Sequence, residues 1–396
     1  MILSLAILLM LGFILGKLFS YLKIPNVLGM LLAGIIMGPY ILNFLSSDLL
    51  NISQEIRSLA LIIILLKAGL GLKIKVLKKV GPVSLKLGLL PCVFEGAAVL
   101  IMGIWLLNFS LAEAGMLGFI LAAVSPAIVI PGILDLKKKG YGEDKNISTI
   151  LLAGTSLDDV FAITIFTVFL GLGIGGSVNV FYEMGKIPIN IILGTIGGFV
   201  LGFVISKIYM NKGIILNNLE KLLILLTLAY IYYKFGEYIG IASLLGVMTM
   251  GIVILDKCVE TAKKTSINLT KVWFFAQIAL FTLVGAEVNI SIVLESGFFG
   301  VAIILIGLIA RSLGVWVATL GTNLNYKEKL FCIVAYLPKA TVQAAIGAIP
   351  LASGVEGGEV ILAIAVLAIL ITAPIGAFGI KLGAPKLLNK VKLMDN

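Results

Sequence analysis

Residues 150–173 read ILLAGTSLDDVFAITIFTVFLGLG, an apolar stretch whose only charged residues are the adjacent carboxylates Asp158 and Asp159. The stretch is long enough to cross a bilayer as one helix. A carboxylate at that depth costs several kcal/mol unless something compensates it, so two neighbouring acids are poor structural filler. Ionisable residues inside a membrane helix usually mark an ion or proton pathway. The pair therefore predicts a membrane protein that moves ions or protons.

The composition supports the membrane assignment. Sixty per cent of the residues are hydrophobic, 13% are charged, and the mean hydropathy is +1.15, far outside the range of soluble domains. There is no histidine, which excludes imidazole metal sites and histidine general bases. The cysteines at 92, 258 and 332 are far apart and show neither a metal-binding spacing nor a disulfide framework.

Hydrophobic windows separated by charge, glycine and proline predict thirteen spans. They are residues 2–20, 26–45, 57–72, 81–107, 114–134, 148–173, 187–208, 220–235, 239–255, 271–290, 296–320, 329–351 and 359–381. With the N-terminus outside, 23 of the 30 lysines and arginines lie on the inner side, in loops or at the inner ends of spans, and three lie on the outer side. The sequence therefore predicts an all-α polytopic protein with a cytoplasmic C-terminus. The basic residues behind the +10 charge are explained by membrane topology, so they do not indicate a nucleic acid partner, and none is expected.

An internal repeat links the second and ninth spans. LGMLLAG at 28–34 and LGVMTMG at 245–251 share a Gly-x4-Gly pattern, and the next spans carry glycines 35 and 34 residues further on. Similar segments seven spans apart cross the bilayer in opposite directions. Inverted repeats of this kind are typical of secondary transporters, whose ion sites lie near the midplane where discontinuous helices meet.

Two spans carry signals for a break. The fifth contains Ser125-Pro126 and Pro131, and the twelfth contains Pro338-Lys339, followed by Pro350. An interior proline removes a backbone donor and clashes with the preceding turn. Unpaired backbone groups at this depth are tolerated where they line a protein cavity or bind ions. A simple proline kink is the alternative for either span taken alone.

Four segments resemble the monovalent cation:proton antiporters, the sodium/hydrogen exchangers. The most specific is IPNVLGMLLAGIIMGP at 24–39; the others are LLKAGLGL at 65–72, LLGVMTMGIVI at 244–254 and FTLVGAEVNI at 281–290. The Asp158-Asp159 pair resembles the family's transport site, which is Asp-Asp in one branch and Asn-Asp in another. The resemblance covers nearly the whole chain and implies exchange of a monovalent cation, Na⁺ first, with K⁺ or Li⁺ as alternatives, for H⁺.

The resemblance also implies an architecture. Residues 1–385 are expected to form one exchanger domain, with 386–396 as a short cytoplasmic tail. Core helices with two crossed, unwound segments would occupy about 81–173 and 296–381, and an interface panel about 1–72 and 220–290. A homodimer in the plasma membrane is expected. The tail is too short for a nucleotide-binding domain, so no cofactor is expected besides the transported ions.

The chain departs from the family patterns at three positions. Gly154 stands where the Asn-Asp branch has a glutamate, and Ser125 stands where that branch has an acid before its proline. Arg311 stands where the Asp-Asp branch often has a lysine. The sequence therefore looks intermediate between the branches, and the proton stoichiometry of neither one carries over.

Helical geometry divides the roles of the two acids. Adjacent residues on a helix point about 100° apart, so Asp158 and Asp159 face different neighbours. We assign Asp159 as the main Na⁺ ligand, with Asp158 as the other acid of the pair and Thr155 one turn away. Ser125 and backbone carbonyls of the broken fifth span would complete an oxygen shell of the kind hard cations prefer. Ser156, in the same helix, is a supporting residue.

Charged residues in other spans are expected to support this site. Arg311 lies too deep to reach the interface, and Asp158 is its nearest candidate partner because Gly154 replaces the family glutamate. Lys339 resembles an arginine of the Asn-Asp branch and would neutralise helix ends where the unwound segments cross, with Gln343 as a possible polar partner. Glu95 is either a pairing residue of the core or part of a funnel mouth.

Two other classes of function fit the sequence less well. An intramembrane protease needs two aspartates that face each other from separate helices, whereas these are adjacent on one helix. A sodium-coupled solute symporter also uses inverted repeats and broken helices, but it needs a cavity for an organic substrate. The sequence favours the antiporter, a transporter and not an enzyme.

Overall fold

The computed structural model describes residues 1–72, 74–174, 180–211 and 216–391, and within these ranges it is almost entirely helical. The helices are α1 (Ile2–Tyr21), α2 (Asn26–Met37), α3 (Ser47–Asn51), α4 (Ser53–Gly71), α5 (Ile74–Leu107), α6 (Leu111–Leu121), α7 (Pro126–Lys138), α8 (Ile147–Ile174), α9 (Val180–Met210), α10 (Asn218–Ile239), α11 (Ser243–Lys257), α12 (Val259–Ala286), α13 (Ile290–Ala318), α14 (Tyr326–Ala335), α15 (Thr341–Ile346), α16 (Ile349–Ala352) and α17 (Gly358–Leu387).

Each predicted span coincides with a helix or with consecutive short helices. Within the described ranges, eight helices are long and apolar enough to cross a membrane by themselves: α1, α5, α8, α9, α10, α12, α13 and α17. The helices α2, α6 and α15–α16 are apolar but shorter. The fold is therefore that of a multi-pass membrane protein, and the count of thirteen crossings stays a prediction.

Some predicted boundaries are wrong. The second span was expected to run to residue 45, but α2 ends at Met37, where Gly38 adopts an extended conformation before Pro39. The tenth span was expected to begin at residue 271, but α12 begins at Val259 and carries Lys263 and Lys264 in its first turns. Hydropathy finds the apolar part of a helix and misses a polar extension of the same helix.

The chain divides into two compact units. Unit 1 comprises residues 1–50, 80–176 and 281–396, and unit 2 comprises 51–79 and 177–280. In unit 1, α17 packs against α7, α13 and α14, and α8 packs against α6 and α7. In unit 2, α11 packs against α4 and α9. Both predicted core ranges lie within unit 1, and the division into core and interface panel stays a prediction.

Close helix crossings support the predicted repeat. In unit 1, a Cβ atom on Gly34 of α2 would collide with the backbone carbonyl of Thr282 in α12. In unit 2, a Cβ atom on Gly251 of α11 would lie 2.9 Å from the carbonyl oxygen of Leu66 in α4. Glycine lets these backbones touch. The two contacts join corresponding positions of the two repeats.

The reciprocal contacts follow the same rule. A Cβ atom on Gly285 of α12 would collide with the carbonyl oxygen of Leu31 in α2. Its counterpart in unit 2, Gly69 of α4, is placed in the same way against the carbonyl oxygen of Met248 in α11. Residues 31 and 248 are each three residues before the repeat glycine of their own helix. The two repeats therefore make the same backbone contacts, residue by residue, at equivalent positions of the sequence.

The two predicted breaks are present. The chain leaves helical geometry between α6 and α7 at residues 122–125, and between α14 and α15 at residues 336–340. Both α6 and α14 begin with a capping box, closed by Ser110 with Glu113 and by Asn325 with Glu328. The helices restart at α7 and α15, whose N-caps at 125 and 340 lie the same number of residues after Ser110 and Asn325. The repeat thus includes the broken helices.

Candidate ion-binding site

The two breaks of unit 1 touch each other. The amide N–H of Ser125 donates to the carbonyl oxygen of Pro338 at 2.8 Å, and the hydroxyl oxygens of Ser125 and Thr341 are 3.5 Å apart. The termini of short helices therefore meet inside the protein. Such termini leave backbone groups without helical partners, which side chains must satisfy.

Arg311 of α13 satisfies two of these termini. Its Nε donates to the carbonyl oxygen of Tyr336 at 2.6 Å, and its Nη1 donates to the carbonyl oxygen of Ala122. Ala122 and Tyr336 are the C-caps of α6 and α14. A guanidinium is suited to this place because helix C-termini carry partial negative charge.

The same guanidinium binds two buried acids. Nη2 of Arg311 lies 2.8 Å from Oδ2 of Asp158, and Nη1 lies 2.8 Å from Oε2 of Glu95. The predicted contact between Arg311 and Asp158 is therefore present. Of the two alternatives for Glu95, the structure favours a pairing residue of the core over a place in a funnel mouth. Its side chain is 2% exposed, and its Oε2 also lies 2.5 Å from Nζ of Lys339. Lys339 is thus placed at the crossing, as expected, with an acid as its partner.

The two adjacent aspartates differ in their partners. Asp158 is fully buried, and its Oδ2 accepts from the amide N–H of Val124 at 2.7 Å as well as from Arg311. Asp159 is 5% exposed, and its Oδ1 has no hydrogen-bond partner among the described residues. No ion pair to Asp159 is present within the described part of the chain. Asp159 is therefore the buried acid whose charge lacks a contacting base.

The remaining predicted residues lie in α8, at the start of α7 or outside the described residues. Thr155 is buried and donates its hydroxyl to the carbonyl oxygen of Leu151 at 2.9 Å, so its oxygen is left as an acceptor. Pro126 is the first residue of α7, a position that needs no amide donor. The side chains of Ser156 and Pro131 lie outside the described residues.

Gln343 corrects the sequence-based expectation. The sequence predicts a polar partner of Lys339 at this position, but Nε2 of Gln343 donates to the carbonyl oxygens of Ile120 and Ala123 at 2.9 and 2.8 Å. The amide therefore caps the end of α6 from the opposite broken helix. Sequence spacing placed Gln343 one turn from Lys339 and did not reveal that its side chain turns toward the other break.

Three residues of the site were missed from the sequence. Tyr336 and Thr341 line the second break, and Thr372 of α17 accepts the backbone N–H of Lys339 at 2.8 Å. The available signal was the position of Tyr336 and Thr341 on either side of the Pro338-Lys339 break. No signal of this kind marks Thr372.

Comparisons with known proteins identify the family of the chain. Residues 5–382 match the family model for the transmembrane part of the sodium/hydrogen exchangers. The chain belongs to the sodium/hydrogen exchanger family. It is 37% identical to sodium/hydrogen exchanger 9B2 of Xenopus tropicalis, over 95% of this chain and 72% of the relative. It is 35% identical to the human protein of that name, over 95% of this chain and 73% of the relative.

A solved structure shares the fold. The sodium proton antiporter MjNhaP1 from Methanocaldococcus jannaschii aligns over 98% of both chains with a TM-score of 0.81, at 23% sequence identity. As a member of the exchanger family, the chain is a multi-pass membrane transporter and not an enzyme. The predicted family resemblance is confirmed.

Proposed function

We propose that this exchanger moves Na⁺ in one direction and H⁺ in the other, with Asp159 as the group that binds either ion. The observation that carries the proposal is the charge balance of the crossing. Asp158, Asp159 and Glu95 supply three negative charges, and Arg311 and Lys339 supply two positive charges. The cluster with an empty site therefore carries one net negative charge, which one proton or one monovalent cation neutralises.

Competition for that single charge produces exchange. A buried uncompensated carboxylate is costly at membrane depth, so the empty site resists the movement that exposes it to the other side. A proton or a Na⁺ ion removes the excess charge, so either loaded form can move. Since both ions occupy the same carboxylate, binding of one expels the other. No histidine, nucleotide or further cofactor is required.

Candidate oxygen ligands for an ion at Asp159 lie on α8 and at the crossing of the two breaks. Thr155 precedes Asp159 by one turn of α8, and its hydroxyl oxygen keeps acceptor capacity after donating to Leu151. Ser125 and Thr341 contribute hydroxyl oxygens at the crossing. Carboxylate, hydroxyl and carbonyl oxygens are the ligands that hard cations prefer. We assign Asp159, Thr155 and Ser125 as the Na⁺ ligands, with Asp158 as the charged neighbour.

The ion pairs favour a stoichiometry of one proton per cation. Asp158 is held by Arg311, and Glu95 by both Arg311 and Lys339, so these acids keep their charge through the cycle. Asp159 alone then exchanges its proton, and transport is electroneutral. Were Asp158 free to titrate, two protons would move per cation and the cycle would carry charge.

The arrangement in the membrane completes the proposal. The asymmetry of basic residues supports an orientation with the N-terminus outside and the C-terminus in the cytoplasm. The plasma membrane is the expected location, and a homodimer the expected assembly, with the panel at residues 1–72 and 220–290 as its interface.

Purified protein in liposomes with an imposed pH gradient tests this function. Addition of Na⁺ is expected to dissipate the gradient, and parallel additions of Li⁺ and K⁺ rank the cations. Below the pH at which Asp159 titrates, the Na⁺ concentration for half-maximal exchange is expected to rise about tenfold for each unit by which the pH is lowered, if one proton competes with Na⁺. A rise of about a hundredfold per unit indicates two protons. If well-folded protein shows no cation-dependent proton movement, the proposal is wrong.

A further inference from the structure

Gln343 links the two breaks of unit 1 through its side chain. It is the third residue of α15 and is fully buried, and its Nε2 donates to the carbonyl oxygens of Ile120 and Ala123 at 2.9 and 2.8 Å. A glutamine at this position of a helix often turns back to the N-cap of its own helix. Here the NH₂ group faces two carbonyl oxygens, so both of its protons are used on the opposite break.

The carbonyl group of Ile120 depends on this amide. In a continuing helix, the N–H of Val124 would donate to the carbonyl oxygen of Ile120. That N–H donates to Oδ2 of Asp158 instead, at 2.7 Å. A buried carbonyl group that loses its only donor is costly, so the end of α6 is expected to shift if the amide is removed. Gln343 therefore fixes the end of α6 relative to α15.

The link lies beside the two hydroxyl groups of the crossing. Ala123 precedes Ser125 by two residues, and Gln343 follows Thr341 by two residues. Both hydroxyl side chains are buried, and their oxygens are 3.5 Å apart although they come from different breaks. The distance between the breaks therefore decides how far apart these two oxygens lie.

That spacing fits a cation of a particular size. Two oxygens 3.5 Å apart subtend about 90° at a cation that lies about 2.4 Å from each of them. This distance is within the range of Ca²⁺–oxygen bonds, and Ca²⁺ and Na⁺ have similar radii. K⁺ forms longer bonds and needs oxygens that are further apart for the same angle. Since Na⁺ and K⁺ carry the same charge, the size and rigidity of the oxygen shell must discriminate between them.

We propose that Gln343 is a positioning residue that sets the size preference of the cation site. Its two hydrogen bonds to the end of α6 hold the hydroxyl oxygens of Ser125 and Thr341 at a spacing that suits Na⁺ better than K⁺. This inference rests on the proposed binding of a cation by Asp159 and Ser125. The amide carries no charge, so it holds this spacing whichever ion occupies the site.

Exchange in liposomes, measured separately with Na⁺ and with K⁺ at one pH, tests this role. Gln343→Met keeps the length of the side chain and removes both donors. We expect the KM for Na⁺ to rise about tenfold, which corresponds to the loss of about one hydrogen bond. The KM for K⁺ is expected to change less, so the ratio of the KM for K⁺ to the KM for Na⁺ falls.

The matched control removes a buried donor in unit 2. The hydroxyl of Tyr232 in α10 donates to the carbonyl oxygen of Gly194 in α9 at 2.6 Å. Tyr232→Phe removes this bond between two helices, and it is expected to lower the melting temperature without changing the KM ratio. A purely structural effect of Gln343→Met would resemble this control.

A milder variant serves if Gln343→Met does not fold. Gln343→Asn keeps an amide on a stem that is one methylene shorter, so it is expected to keep at most one of the two bonds. Its KM ratio is expected to lie below that of the unaltered protein and above that of Gln343→Met.

Removal of one hydroxyl tests whether Gln343 acts through the spacing of the oxygens. Thr341→Val keeps the branched shape of the side chain and removes its hydroxyl. In the Thr341→Val background, Gln343→Met is expected to change the KM ratio less than it does in the unaltered protein, because residues that act through one contact are not additive. Equal changes in the two backgrounds overturn the inference.

The remaining outcomes separate this inference from the proposed function. If the unaltered protein moves no protons when a cation is added, the proposed exchange is wrong and the inference falls with it. If exchange occurs but the KM for K⁺ equals or lies below that for Na⁺, only the inference is overturned. The same holds if the Gln343 variants lower the melting temperature and keep the KM ratio, or if Tyr232→Phe lowers the ratio as much as Gln343→Met.

Discussion

Replacing Arg311 with alanine tests how the charges of the crossing are shared. The change removes the partner of Asp158, one of the two partners of Glu95, and the donors to the Ala122 and Tyr336 carbonyls. Breaking a buried ion pair costs roughly 3–5 kcal/mol, because a charge is left uncompensated. Each carbonyl that loses its donor adds about 1 kcal/mol. Arg311→Ala is therefore expected to be strongly destabilising.

The structure assigns most of the charge penalty to one acid. Glu95 keeps Lys339 at 2.5 Å after the change, whereas Asp158 keeps only the amide N–H of Val124 among its described contacts. Neutralising Asp158 in the Arg311→Ala background is therefore expected to recover about 1–3 kcal/mol. Neutralising Glu95 in that background is expected to recover none, since it leaves the Lys339 ammonium unpaired.

Thermal unfolding in detergent, followed by tryptophan fluorescence, measures this difference. The comparison uses Arg311→Ala alone, Arg311→Ala with Asp158→Asn, and Arg311→Ala with Glu95→Gln. Asp158→Asn is expected to lower the apparent melting temperature of the unaltered protein and to raise that of Arg311→Ala. If Asp158→Asn lowers both by the same amount, or if Glu95→Gln rescues equally well, the division of partners argued above is wrong.

Three further predictions follow from the site and the crossings. Asp159→Asn is expected to abolish cation-dependent proton release without loss of folding, because the amide keeps the size of the side chain and removes its charge; release by the folded variant counts against the assignment. Electroneutral exchange in liposomes is expected to be insensitive to a potential of about 100 mV, whereas a transported net charge would gain about 2.3 kcal/mol. Gly285→Ala is expected to destabilise by about 1–3 kcal/mol, measured by thermal unfolding. The control Gly297→Ala, in open space, is expected to be neutral or stabilising.

The sequence located the spans and the breaks because their signals are local. Apolar length finds a helix, and prolines at 126 and 338 find a discontinuity. The predicted end of α2 and the predicted start of α12 are wrong, because hydropathy shows where a helix is apolar and not where its hydrogen bonding begins or stops. The repeat was found from glycine spacing, since glycine marks close backbone approach in both halves.

The site was predicted less completely, because its contacts are long-range. Asp158 was predicted as the partner of Arg311 because Gly154 replaces the family glutamate, and the two side chains lie 2.8 Å apart. The second acid that binds Arg311 is Glu95 of α5, 216 residues earlier in the chain. Hydropathy predicts how deep Glu95 lies in the membrane, but it does not predict which side of the helix carries the carboxylate. The same ambiguity hid the role of Gln343, whose side chain reaches the opposite break.

The charge count of the crossing bears on the choice of ion as well as on exchange. With Asp158 and Glu95 compensated by Arg311 and Lys339, one uncompensated charge remains on Asp159. A proton or a monovalent cation brings the cluster to neutrality. A divalent cation at the same carboxylate would leave one net positive charge, and an excess charge of either sign is costly in a buried site. If Asp159 binds the transported ion as proposed, the ion pairs at the broken helices also favour a monovalent cation, before any difference in ligand geometry is considered.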